Sequence, residues 1–135
     1  MNFATRVNIN MPPKKDSAPT ESKWQQAILS SDATIQEAIT NLDKVAIKIV
    51  IVTNSEGELI GTVSDGDIRR GLLKGILLTS PLTEIIHRAP LVVPPDMSSE
   101  LVMQLMIANK VAQIPAVNEK NQVVGLHLWD ELVVT

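Results

Sequence analysis

Two stretches of this chain repeat one another 64 positions apart, Ile47 to Gly61 aligning with Val111 to Gly125. A duplication of this size constrains the chain to one fold built from two like halves. The 135 residues suffice for a single domain of two lobes, large enough to bury a core without disulfides or a structural metal.

Each half reads as a short extended segment, a helix and then a hairpin. In the first half Thr34-Ile35-Gln36-Glu37 has capping-box spacing, and Ile35, Ala38, Ile39 and Leu42 recur along one helical face, which predicts a helix over 35–44. Lys48 to Val52 reads as a strand, Asn54 to Gly57 as a turn and Glu58 to Ser64 as the returning strand. Ile68, Leu72 and Leu73 predict a further helix packed on the sheet.

The second half repeats the scheme. Leu101, Val102, Leu105 and Met106 mark the helix face, and strands Val111 to Val117 and Gln122 to Leu128 flank a turn at Asn118 to Asn121. The hairpins align at 64 positions but the helix faces at 63, a slip of one residue. Between the halves Ser80-Pro81 reads as N-cap and first residue of a short helix through Ile86, and Pro90, Pro94 and Pro95 punctuate the extended Leu91-Val92-Val93.

The expected division is therefore a leader over 1–22, a first repeat over 23–78, a connector over 79–90 and a second repeat over 91–135. The leader is rich in Asn, Pro, Lys, Ser and Thr without sustained period and reads as disordered. The counterpart of Leu72 would fall at 136, past the last residue, so the second repeat reads as truncated and the chain as part of a longer polypeptide.

Composition removes several function classes. Without cysteine there is neither a thiolate nucleophile nor a cysteine zinc site, and nothing requires an oxidising compartment. A net charge of -3, with both signs mixed along the chain, offers no field for nucleic acid. No apolar run reaches membrane-span length and no secretion signal opens the chain, so the expectation is a cytoplasmic protein with no membrane partner. His87 and His127 have no partner at metal-ligand spacing, and with no Cys or Tyr the chain lacks a nucleophile–base pair. Met97, Met103 and Met106 read as core filling, and Trp24 and Trp129 as packing across the lobes.

The chemistry-bearing stretch is Gly61-Thr62-Val63-Ser64-Asp65-Gly66-Asp67-Ile68-Arg69-Arg70-Gly71-Leu72. Ser64 and Asp67 fall at a strand end and helix start, where free backbone N–H groups and the helix dipole favour an anion. A hydroxyl there can donate to a phosphate oxygen, a carboxylate three residues on can accept both hydroxyls of a ribose, and Arg69 and Arg70 can supply guanidinium to phosphates. A plainer reading stays open beside this one: Ser64 or Asp65 caps the helix and the arginines are a solvated face.

Over residues 24–135 both halves resemble the cystathionine-β-synthase (CBS) domain, through the helix at Thr34, the strand Ile47 to Val52 and the stretch Gly61 to Ile68. The resemblance implies an α+β fold of two β-α-β-β-α repeats related by pseudo-two-fold symmetry. It implies that Ser64 meets phosphate, that Asp67 holds ribose and that adenine lies by Lys48, Ile49 and Val50. The second copy departs from the pattern, with Leu128 at the place of Ser64 and Glu131 at that of Asp67, so one competent site is expected.

More narrowly, Ser64 to Gly75 together with Gly125 to Leu132 is similar to the CBS pair at the N-terminus of bacterial sugar nucleotidyltransferases, and the pair trailing arabinose-5-phosphate isomerases has a similar first motif. The expected function is a non-catalytic, homodimeric regulatory module without a cofactor. Its ligand would be AMP, ADP, ATP or S-adenosylmethionine, and it would tune a catalytic nucleotidyltransferase domain absent from this chain. The alternatives are a dimerisation module without ligand and the CBS pair of a sugar-phosphate isomerase.

Overall fold

In the computed structural model, which describes residues 23–133, Thr34 and Glu37 close the reciprocal cap that their spacing predicts. The Glu37 N–H donates to Thr34 Oγ1 at 3.1 Å and the Thr34 N–H donates to Glu37 Oε1 at 2.9 Å. Helix α1 (Ile35–Val45) starts there and ends at Ala46, whose left-handed φ of 64° aims its N–H at the Leu42 carbonyl. The expected leader lies outside the described residues.

The described residues divide into two units, Lys23–Pro90 and the stretch from Leu91 onward. In the first unit a 3-10 turn (Lys23–Ala27) leads into β1 (Ile28–Ser30), followed by α1, β2 (Val50–Thr53), β3 (Leu59–Val63) and α2 (Asp65–Leu73). The sheet order is β1-β2-β3, with β1 parallel and β3 antiparallel to β2. All four β2 residues are buried, as the apolar run Val50-Ile51-Val52 requires of a central strand. Ile35, Ala38 and Leu42 of α1 pack on Val50, Val52 and Val63 of the sheet and on Ile68 of α2.

The second unit holds α3 (Ser99–Asn109), β4 (Gln113–Val117), β5 (Val123–Leu128) and a single turn, α4 (Trp129–Leu132). Its hairpin copies the first residue for residue. Val50↔Val63, Ile51↔Thr62 and Val52↔Gly61 become Ile114↔His127, Pro115↔Leu126 and Ala116↔Gly125, and the irregularity after Val52 recurs after Ala116. The turns match as well. Asn54 Oδ1 accepts from the N–H groups of Glu56 and Glu58, and Asn118 Oδ1 from those of Lys120 and Gln122. The parallel pairing Leu29↔Val52 shrinks to one bridge, Val93↔Ala116, because Pro94 and Pro95 have no N–H with which to extend it.

The one-residue slip inferred for the helices is absent. Helices α1 and α3 and their left-handed caps, Ala46 and Lys110, lie 64 residues apart at both ends. Val102 and Met106 are the buried counterparts of Ala38 and Leu42, while Leu101, expected on the buried face, is 51% exposed. Apolar residues surround α3 so completely that periodicity could not select the stripe that packs. Val102 and Met106 join Val93, Ile114 and Ala116 in the second core, against which Met97 and Trp129 also pack.

Residues 79–90 fold onto the first unit. Leu82 is fully buried in the first core, with Ile85 and Ile86 packed against it. The expected helix through Ile86 is one 3-10 turn (Leu82–Glu84), since the backbone makes its bonds elsewhere: the Leu82 N–H donates to the Ala33 carbonyl, and His87 pairs with Thr62. That pairing runs close over Gly61, where a Cβ would collide with Ile86 Cγ2 and the His87 carbonyl oxygen.

Candidate functional site

Strand β3 delivers Ser64 in an extended conformation (φ -115°, ψ 170°), and α2 begins at the next residue. Ser64 and Asp67 form a second capping box. Ser64 Oγ accepts from the Asp67 N–H at 3.2 Å, and Asp67 Oδ2 accepts from the Ser64 N–H at 2.9 Å and from the Ser64 hydroxyl at 3.0 Å. Asp67 Oδ1 accepts from Arg70 Nη2, also at 2.9 Å, in an i, i+3 ion pair. Of the plainer reading, the Ser64 cap is present, whereas Arg70 is paired with Asp67 and is not merely a solvated side chain.

This geometry defines what the residues can do for a ligand. The single Ser64 hydroxyl proton already goes to Asp67, and both Asp67 oxygens are engaged. A phosphate would have to take the Ser64 proton from Asp67, and a ribose diol needs two acceptor sites where about one is open. At least one bond is exchanged in either case, and each such exchange yields little net free energy. Binding strength at this point must come from charge-assisted bonds to phosphate and from the helix N-terminus.

The register Val50↔Val63 sets Lys48, Ile49 and Val50 at the same end of the sheet as Ser64. Ile49 and Val50 are buried, so this segment has its backbone and the exposed Lys48 to offer. Ala46 and Lys48 both have positive φ, 64° and 76°, a conformation that non-glycine residues adopt at a cost and that gathers at functional loops. Neither residue type signals it in the sequence. Arg69 is exposed and takes no part in the network, so the structure brings together Ser64, Asp67 and Arg70 and sets Arg69 apart. Gly66 was not singled out by sequence reasoning, yet the Arg70 guanidinium lies against it: a Cβ there would be 3.1 Å from Nη1.

The second unit offers no such arrangement. Leu128 precedes α4 with no side-chain cap, and the Trp129 N–H donates to the Ala112 carbonyl at 2.9 Å. Glu131 is exposed on a helix of four residues. His127, on β5, has its pKa lowered by burial. An open groove of about 670 Å³ lies between Pro94–Asp96 and the Asn118–Gln122 turn, at the opposite end of the hairpin from Leu128. Among the described residues there is no cluster of three or more metal-ligating side chains, and no helix is long and apolar enough to cross a membrane.

A family-wide sequence profile described as the CBS domain matches residues 26–74 and 82–126. An uncharacterized protein of Chlamydia muridarum is 36% identical over 102 residues, 72% of this chain and 31% of its own length. The arabinose 5-phosphate isomerase KpsF of Escherichia coli O6:H1 is 30% identical over 96 residues, 70% of this chain and 29% of its own length. The chain thus spans about a third of the length of these curated relatives.

Among solved structures, a CBS domain protein from Pyrobaculum aerophilum complexed with AMP superposes with a TM-score of 0.71 at 23% identity, covering 80% of this chain and 83% of that one. The CBS domain pair of protein MJ0100, in complex with 5'-methylthioadenosine and S-adenosyl-L-methionine, gives 0.69 at 23% identity, covering 78% and 86%. At these identities the likeness establishes the fold.

Proposed function

This chain belongs to the CBS-domain family, and from that premise we propose that it is a non-catalytic regulatory module whose first unit binds one adenine nucleotide. The observation that carries this reading is the Ser64–Asp67–Arg70 network at a helix start, beside the left-handed backbone of Lys48. Ser64 and Arg70 would take the phosphate, Asp67 the ribose hydroxyls, and the backbone near Lys48 to Val50 the adenine. The solved relatives that carry AMP, 5'-methylthioadenosine and S-adenosyl-L-methionine support an adenosine ligand.

Regulation follows from differential affinity. A ligand that draws Ser64 and Asp67 out of their capping box alters the first turn of α2, and an attached domain that senses α2 responds in proportion to that difference. The nucleotidyltransferase expected as the attached domain finds no support in the comparisons. The KpsF match favours the alternative, a sugar-phosphate isomerase.

Calorimetric titration with AMP, ADP, ATP and S-adenosylmethionine tests the proposal. At least one should bind once per chain, Asp67→Asn should weaken it at least about tenfold through the loss of charged hydrogen bonds, and Glu131→Ala should leave it unchanged. Equal losses from the two substitutions refute the one-site assignment. If no nucleotide binds while a dimer persists, the ligand-free dimerisation module is correct. The exposed Leu101 and Ile107 on α3 offer an apolar surface for such a dimer, which both readings accommodate.

A further inference from the structure

We propose that Arg70 is a specificity-determining latch on this site, favouring ligands that bring a phosphate together with the ribose that Asp67 holds. The inference rests on the nucleotide-site reading and goes beyond it, because it assigns Arg70 and Arg69 different roles and ranks phosphorylated adenosine compounds above unphosphorylated ones.

Asp67 Oδ2 is committed to the Ser64 N–H and hydroxyl, which leaves Oδ1 as the oxygen that a vicinal diol could most readily reach. Arg70 Nη2 holds that oxygen at 2.9 Å. The Asp67 side chain is only 18% exposed, whereas that of Arg70 is 63% exposed, so the guanidinium lies on the solvent side of the carboxylate. Gly66 lets it lie close, since a Cβ there would sit 3.1 Å from Nη1, tighter than ordinary contact. The second repeat has Asp130 at the place of Gly66 and Leu128 at that of Ser64, and holds no such arrangement.

A neutral nucleoside that seats both ribose hydroxyls on Asp67 needs two acceptor sites where the bonds to Ser64 and Arg70 leave about one, so the solvent-side ion pair gives way and the guanidinium is left to water. A nucleotide breaks the same pair but brings an anion with which the planar guanidinium pairs again, so the contact is exchanged instead of lost. Selectivity for phosphorylated adenosine follows from this exchange, in addition to any direct attraction between Arg70 and phosphate.

The test is titration of AMP and of adenosine into the full chain as wild type, Arg70→Ala and Arg69→Ala. Wild type should prefer AMP. Arg70→Ala should weaken AMP about tenfold, the worth of a charged hydrogen bond less that of the ion pair it replaces, and strengthen adenosine about two- to fivefold, the worth of an exposed ion pair. Arg69→Ala should weaken AMP slightly and leave adenosine unchanged. If wild type binds AMP but Arg70→Ala leaves adenosine unchanged or weakens both ligands alike, the latch is refuted and the nucleotide site stands. If wild type binds neither, the latch falls, and the nucleotide site falls with it if ADP, ATP and S-adenosylmethionine also fail to bind.

Discussion

Gly61→Ala and Gly125→Ala should have opposite consequences although the two glycines occupy the same place in the repeat. At Gly61 the added methyl would overlap Ile86 Cγ2 and the His87 carbonyl oxygen. That oxygen accepts from the Thr62 N–H at 3.1 Å, and the His87 N–H donates to the Thr62 carbonyl at 2.9 Å. Relief of the clash therefore moves residues 86–87 off β3. Overpacking costs about 1–3 kcal/mol, and two backbone hydrogen bonds are worth about 0.5–1.5 kcal/mol each. A loss of at least about 2 kcal/mol in a unit of this size lowers the melting temperature by roughly 8 °C or more.

At Gly125 the nearest atom is Ala116 Cβ at 3.8 Å, ordinary contact, and the backbone is not left-handed. Alanine there should be neutral or stabilising by about 0.4–1 kcal/mol through the unfolded chain. Melting followed by circular dichroism, together with hydrogen exchange at the Thr62 and His87 amides, reads both effects. A shift below about 2 °C for Gly61→Ala, or an equal fall for Gly125→Ala, would show that the packing of residues 86–87 on β3 is not what holds this edge of the first unit.

Asn54→Ala and Asn118→Ala should each lower stability by about 1–3 kcal/mol in thermal melts, and by similar amounts, since each removes the same three turn hydrogen bonds. Asp67→Ala should cost about 1 kcal/mol of stability as well as ligand binding, because it opens the α2 capping box; unchanged denaturant midpoints would count against that. The His127 pKa is lowered from 6.5, so the unfolded chain takes up the proton first and stability falls as pH drops below 6.5 towards the folded value. His127→Gln should shrink the difference in melting temperature between pH 7.5 and 5.5, and a full-sized difference would refute the assignment. Leu101→Ser with Ile107→Ser should convert a dimer to monomer in light scattering with little change in melting temperature, whereas Val102→Ser, at a fully buried position, should unfold the unit.

Much of the candidate site could be read along the chain. Ser64 and Asp67 stand at capping-box spacing, and Asp67 and Arg70 at the i, i+3 spacing of a helical ion pair. That these two pairs share one carboxylate, and so leave it about one open acceptor site, required side-chain positions. The left-handed backbone at Ala46 and Lys48 carries no signal in residue type, since neither is the glycine or asparagine that usually marks it.

The same division holds for the fold. The amino-acid sequence by itself determined the repeat, which is a likeness between its two halves, and the Asn turns and the helix start at Thr34, because these depend on hydrogen bonds between residues two to four positions apart; both hairpins follow from those turns and the apolar runs that flank them. Only the tertiary structure decided which stripe of α3 is buried, since Leu101, Val102, Met106 and Ile107 are all apolar and the facing strand selects among them. It also decided where residues 79–90 belong: Leu82 and His87 find their partners in Ala33 and Thr62, far back along the chain, and no local pattern records a contact that forms only once the sheet exists.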